Sequence, residues 1–231
     1  MFIKKLFSIV IFITMVTTIS FAEETWKIAS LDWQPYSGSD MASQGNSIQK
    51  LRELLKKEGI NLIVDFFPWL RSKKIAAKEE YIGYFPAWPE EVDEGFIASK
   101  PVDWSEVGIL KQTGANVNFD NMDDLFKKYK VGIIATYIYP KAIDDAMKKY
   151  PEHADRAPDE ASLLKKLSEG RHIIAITDPN VMLYLAAKEG ISNIEVMEGT
   201  VIKKELVIAL RNDKENKSRM ELLEKLLMGK N

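Results

Sequence analysis

Apolar and polar positions follow two different periods along the chain, and these periods alternate. Residues 25–31 alternate as a strand does, whereas Ile48, Leu51, Leu54 and Leu55 recur at the spacing of one helix face. The same patterns predict further strands at 60–66, 81–85, 107–112, 131–135, 172–177, 194–197 and 205–210. They predict a first helix that starts at 47 and is stopped by Gly59, and further helices at 68–78, 121–129, 140–150, 161–169, 180–188 and 217–228. Alternating strands and helices predict an α/β fold.

The chain divides into two α/β halves, because the pattern restarts near residue 107. The last strand and helix lack a partner in the second half, so we expect them to return to the first. This predicts two lobes, each an open and mostly parallel sheet flanked by helices. Lobe 1 comprises residues 23–110 and 205–231, lobe 2 comprises residues 111–204, and the two crossings lie near Lys111 and Lys204.

The first residues have the pattern of an export signal. Lys4 and Lys5 precede an apolar run over residues 6–21, and Ser20 and Ala22 are small residues at the usual positions before a cleavage site. We therefore predict a cleavable secretory signal peptide over residues 1–22. The alternative is an uncleaved membrane anchor.

Composition narrows the location and the partners. The 231 residues carry a formal net charge of −2 and include no cysteine. Mild acidity argues against nucleic acid as a partner. Without cysteine there are no disulfide bonds and no cysteine for a lipid anchor. An exported protein of this kind needs an outer barrier to retain it, so we expect a periplasmic location.

Side chains suited to a small organic ligand follow the ends of the predicted strands. They are Trp33 and Tyr36, then Phe67, Trp69 and Arg71, then Phe85 and Trp88, then Thr136, Tyr137 and Tyr139, and last Asp178. Because the carboxyl ends of parallel strands meet at one edge, we expect an aromatic cleft with one cation and one carboxylate. Simpler roles remain open. Trp33, Tyr36 and Trp69 could plug a core, Arg71 could be solvated or salt-bridged, and Asp178 could be a helix N-cap.

Patterns typical of enzymes are scarce. The chain has two histidines, neither near a serine elbow or in a metal-ligand spacing, and it has no glycine-rich phosphate or dinucleotide loop. The adjacent carboxylates Glu90 and Glu91 indicate a solvated face. We therefore predict no catalytic residues, no metal and no cofactor.

In these features the chain resembles family 3 of the bacterial extracellular solute-binding proteins, which includes the periplasmic receptors for polar amino acids. The matching stretches are the signal peptide, residues 32–36, 68–71, 81–88, 99–101, 130–132, 164–171 and 176–178. The resemblance implies a type II periplasmic-binding-protein fold with two lobes, two crossing hinge strands and a ligand enclosed between the lobes. It implies that Trp33 and Tyr36 line the cleft from lobe 1 and that Asp178 holds a ligand amine from lobe 2.

The resemblance also implies partners: a small molecule such as an amino acid, and a membrane permease complex of the ABC type that receives it from a monomeric binding protein.

One departure from the family pattern concerns the ligand. Amino-acid receptors of the family usually carry Thr-Glu-x-Arg after the third strand, and its arginine holds the α-carboxylate. Here Val92 takes the place of that arginine, and valine cannot pair with a carboxylate. Either Arg71 takes the role or the ligand is not a standard α-amino acid. Alternatives to transport are a sensory receptor and a small-acid dehydratase.

Overall fold

The computed structural model describes residues 24–229, so the predicted signal peptide lies outside the described residues. The strands are β1 Glu24–Ser30, β2 Ile60–Phe66, β3 Gly83–Ala87, β4 Phe96–Ala98, β5 Asp103–Gln112, β6 Val131–Ile134, β7 Ala154–Ala157, β8 Ile174–Thr177, β9 Ile194–Val196 and β10 Ile202–Arg211. The helices are α1 Asn46–Lys56, α2 Trp69–Ala76, α3 Met122–Lys128, α4 Lys141–Lys149, α5 Glu160–Ser168, α6 Pro179–Glu189 and α7 Lys214–Met228.

Two long strands join two groups of parallel strands. The sheet order is β2-β1-β3-β10-β5-β8-β6-β7. β1 is parallel to β2 and β3, and β6 is parallel to β7 and β8. β10 continues into the first group, β5 continues into the second, and the two strands pair antiparallel where they cross, from Asp103↔Leu206 to Val107↔Ile202. The fold is therefore α/β with two lobes, open and mostly parallel sheets, and two crossing hinge strands, as predicted.

The apolar periods explain how the sheets are covered. β3, β6 and β8 are buried at every position, as expected for parallel strands with helices on both faces. α1 lays Ile48, Leu51, Leu54 and Leu55 against this core. α7 contacts α1, which returns the end of the chain to the first lobe.

Gly83 permits a close approach between strands. An added Cβ there would collide with the backbone carbonyl of Ala209 on β10. Glycine at this position therefore lets β3 and β10 pack tightly where the chain returns to the first lobe.

Two strands have no counterpart among the sequence predictions. β4 has three residues, two of them exposed, and β7 has the sequence Ala-Asp-Arg-Ala with one buried position. Neither is long or apolar enough to show a period. β5 and β10 also begin earlier than predicted, at Asp103 and Ile202, because their first residues pair with each other at the crossing and are partly exposed.

Between residues 24 and 229, no helix has the length and apolar character needed to cross a bilayer.

Candidate ligand-binding cleft

A cleft of about 490 Å³ lies between the strand ends of the two lobes, a volume within the usual range for small-molecule sites. The first lobe lines it with Leu31, Asp32, Trp33, Phe66, Phe67, Pro68, Trp69, Pro86, Ala87, Trp88 and Glu91, and the second with Ile134, Thr136, Tyr137, Pro158, Asp159 and Glu160, while Leu206 comes from β10. Six of these eighteen residues are aromatic, and the walls come from both sides of the hinge.

Trp33 is held by a tight loop directly after β1. Its backbone N–H donates to the carbonyl of Ser37 at 2.8 Å, and the Ser37 hydroxyl donates to the Leu31 carbonyl at 2.8 Å. The indole lies 4.6 Å from the Tyr36 ring and edge-on to Trp88 at 6.2 Å, centroid to centroid. Contacts within lobe 1 alone therefore orient the Trp33 side chain.

Hydrogen bonds cross the cleft and hold the lobes together. Trp33 Nε1 donates to the Tyr137 hydroxyl at 2.6 Å and to Glu160 Oε1 at 2.9 Å, and the Tyr137 hydroxyl also donates to Glu160 Oε1. Nearer the hinge, Asn180 Nδ2 donates to the Tyr36 hydroxyl at 3.0 Å. Burial raises the pKa of Glu160, and the two donors offset part of that cost. The two lobes are therefore in direct contact across the cleft in this structure.

Glu91 has the smallest exposed fraction among the acids of the cleft lining. It ends a short 3-10 turn, Pro89–Glu91, and is 6% exposed. Its Oε2 accepts a long hydrogen bond of 3.4 Å from the Trp88 amide, and its buried Oε1 has no hydrogen-bond partner among residues 24–229. Burial raises the pKa of the Glu91 carboxyl to about 7.

No protein-family model and no curated protein sequence matches the chain. Its structure is similar to a histidine kinase sensor domain with similarity to periplasmic binding proteins, at TM-score 0.72 and 14% identity over 89% of this chain and 90% of that one. An ancestral arginine-binding protein bound to arginine matches at TM-score 0.71 and 16% identity, over 89% and 91%. An ancestral amino acid-binding protein, a precursor of cyclohexadienyl dehydratase, matches at 0.67 and 19%, over 89% and 88%.

The chain has the type II periplasmic-binding-protein fold. The structures that share this fold include proteins whose names say that they bind amino acids. At these levels of identity the similarity concerns the fold alone, so the ligand of this chain has to be argued from its own cleft.

Five of the eight predicted site residues line the cleft of this binding-protein fold: Trp33, Trp69, Trp88, Thr136 and Tyr137. Tyr36 and Arg71 do not. Tyr36 stacks behind Trp33, and its hydroxyl faces Asn180 at the lobe contact. Arg71 is exposed on α2, with its guanidinium 5.3 Å from the centroid of the Phe67 ring. Within the described chain, the cleft therefore lacks the predicted cation.

Asp178, the eighth predicted residue, is fully buried and is not part of the cleft lining. Its Oδ1 accepts from the amides of Asn180 and Val181 at the start of α6, and its Oδ2 accepts from the Glu106 amide of β5 at 2.9 Å. Burial raises the pKa of Asp178 to about 6. These contacts are those of a helix N-cap that also ties a crossing strand to lobe 2.

None of the four acids of the cleft lining, Asp32, Glu91, Asp159 and Glu160, is among the predicted site residues. The expectation that Glu90 and Glu91 share a solvated face is wrong for Glu91, which the 3-10 turn directs inward. Asp159 and Glu160 are at the start of α5, where acids are common as caps and give no separate signal of a site. Among residues 24–229, no group of three or more His, Asp or Glu side chains is placed to hold a metal ion.

Proposed function

We propose that the protein is a periplasmic solute-binding protein. It captures a small polar organic molecule between lobe 1, residues 23–110 and 205–231, and lobe 2, residues 111–204, and delivers it to an ABC-type importer. The cleft between the strand ends, with walls from both lobes and hydrogen bonds across it, is the observation that carries this proposal. The export pattern of residues 1–22 supports the location.

Binding would act through hinge closure. β5 and β10 connect the lobes as two adjacent strands, so a small backbone rotation in them moves one lobe against the other. The ligand enters the open form, contacts both walls and shifts the population toward the closed form. At an affinity near 1 μM, about 8 kcal/mol of binding free energy is available to favour closure.

A ligand-binding sensor is the second candidate. Its support is the structural similarity to a histidine kinase sensor domain. The capture step would be the same, and a signalling protein would replace the importer as the partner of the closed form. Neighbouring genes for a permease and an ATPase would favour the importer, and a neighbouring kinase gene would favour the sensor.

A thermal-shift screen of residues 23–231 against amino acids, amines and small acids tests the binding role. A ligand at about 100 times its dissociation constant adds about 2.7 kcal/mol of stability, equivalent to a rise of about 5 to 10 °C for a chain of this size. Small-angle scattering on the same samples should show a smaller radius of gyration with ligand.

Two variants separate binding in the cleft from binding elsewhere. Tyr137→Phe removes a hydroxyl from the cleft wall and should reduce the shift, whereas Arg71→Ala changes an exposed residue outside the lining and should leave the shift intact. The absence of any stabilising compound would contradict the proposal, as would a ligand shift lost in Arg71→Ala and kept in Tyr137→Phe.

A further inference from the structure

The charged residues of the cleft lining all have the same sign. Asp32, Glu91, Asp159 and Glu160 are acidic, and the described residues contribute no lysine, arginine or histidine to the lining. A ligand carboxylate in this cleft would face several carboxylates without a cation to pair with. A ligand cation would meet the opposite situation.

Three of these acids accept hydrogen bonds of 2.9 Å or shorter from groups of the protein, on one oxygen each. Asp32 accepts from the amide and hydroxyl of Ser39, Asp159 caps α5 through the Ser162 amide, and Glu160 accepts from Trp33 and Tyr137. Glu91 differs, because its buried Oε1 has no partner among residues 24–229. Oε1 itself is shielded from the cleft, but another part of the Glu91 side chain lines it. Burying a charged carboxyl with few donors is costly, and a ligand cation at that part of Glu91 would reduce the cost.

The two lysines that lie over aromatic rings of the cleft lining do not supply such a donor. Lys73 pairs with Asp93 at 2.8 Å, and Lys204 pairs with Glu90. Both lysines are absent from the residues that line the cleft. The charge of Lys73 therefore acts on Glu91 only from outside the lining, and within residues 24–229 no cation pairs directly with the Glu91 carboxyl.

The aromatic walls suit the same kind of ligand. Trp69 and Tyr137 are half-buried in the lining, and Trp88 is edge-on to Tyr137 with 4.8 Å between centroids. The faces of such rings attract ammonium and guanidinium groups, most strongly where water is excluded. Two such contacts occur within the protein. Lys73 Nζ lies 5.5 Å from the centroid of the Trp69 ring, and Lys204 Nζ lies 5.0 Å from that of Trp88.

We infer that the ligand is a small organic cation without a carboxylate, with its positive group against the aromatic walls and donating to Glu91. This inference rests on the binding role proposed above and specifies its ligand class. It also gives a reason for the valine at position 92. Val92 packs with the apolar cluster beside Trp69 and has no group that could hold a ligand carboxylate.

Isothermal titration at pH 8 with agmatine and arginine tests the inference directly, because the two compounds differ by one carboxylate. Choline, tetramethylammonium and putrescine extend the cation set, and glutamine and glutamate extend the amino-acid set. We expect at least one compound of the cation set to bind, and agmatine to bind at least about tenfold more tightly than arginine, a difference of about 1.4 kcal/mol.

A pair of matched variants tests the role of Glu91. Glu91→Gln should weaken binding of the cation at least about tenfold, whereas Glu94→Gln makes the same change at an exposed residue outside the lining and should alter affinity less than about twofold. Equal effects of the two substitutions would overturn the assignment to Glu91.

The two proposals fail differently. If arginine, glutamine or glutamate binds as tightly as any cation, the ligand class is wrong and the binding role stands. If no compound of either set binds or alters the radius of gyration, the binding role fails together with the inference.

Discussion

Replacing Glu91 with glutamine measures the cost of burying one carboxylate in the protein without ligand. Glutamine has nearly the same shape and remains neutral at every pH. The Glu91 carboxyl has an ordinary pKa of 4.5, and burial raises its pKa to about 7 in the folded protein. The folded state therefore retains a proton that the unfolded state releases between these two values.

The sign and size of the effect follow from this difference in proton binding. Between pH 4.5 and 7 the unfolded state binds fewer protons at this group, so the free energy of unfolding of the wild type falls as pH rises. At about 1.4 kcal/mol for each unit of pKa, the full loss is about 3 kcal/mol at pH 8. Glu91→Gln should be about as stable as the wild type at pH 4 and more stable by about 3 kcal/mol at pH 8.

Urea denaturation of both proteins at several pH values between 4 and 8 gives the difference. The neighbouring charges that act on Glu91, those of Lys73 and Glu90, are present in both proteins and cancel in the comparison. Asp178 and Glu160, whose pKa values are also raised, are present in both proteins as well, so their contributions to the pH dependence cancel in the same way. A stability difference that stays constant across this pH range would refute the burial argument.

Three further substitutions test other parts of the structure. Asp178→Ala should lower the free energy of unfolding by about 2 to 4 kcal/mol in urea, because α6 loses its cap and a buried β5 amide loses its acceptor; a loss below about 1 kcal/mol would contradict this. Trp33→Phe removes a donor to Glu160 and should disfavour the closed form by about 2 kcal/mol, so that the ligand-free protein scatters with a larger radius of gyration than the wild type; an unchanged radius would speak against it. Gly83→Ala should cost about 3 kcal/mol or more in thermal or urea unfolding, since the new methyl group collides with the Ala209 carbonyl, and a neutral result would mean that β3 and β10 are less tightly packed.

The sequence predicts the elements of the fold well where burial imposes a period. β2 has the predicted bounds, and the strands of the second lobe that are buried on both faces are recognised by their unbroken apolar residues. β4 and β7 are short and partly exposed, so they carry no such pattern. The crossing strands are longer than predicted because their first residues are stabilised by pairing with each other.

The cleft is predicted less completely, because one residue type serves several purposes. An aspartate that follows a strand and precedes a proline is equally consistent with a ligand-binding acid and with a helix N-cap. The contacts of Asp178 are those of an N-cap. Adjacent glutamates look alike in the sequence, yet the turn at 89–91 buries Glu91, while Glu90 pairs with Lys204. Aromatic residues at strand ends gave the clearest signal, since few other places accommodate so many large rings.

The indole of Trp33 lines the cleft in lobe 1 and also donates a hydrogen bond to Glu160 in lobe 2. If the cleft binds ligand as proposed, one side chain therefore serves both selectivity and the equilibrium between open and closed forms. A substitution that reshapes the wall to admit a different molecule also changes how often the cleft opens. Engineering this protein toward a new ligand would consequently require a compensating contact elsewhere between the lobes, and the exposed pair of Asp40 and Lys188, 3.1 Å apart, is a place where such a contact could be strengthened without reaching the cleft.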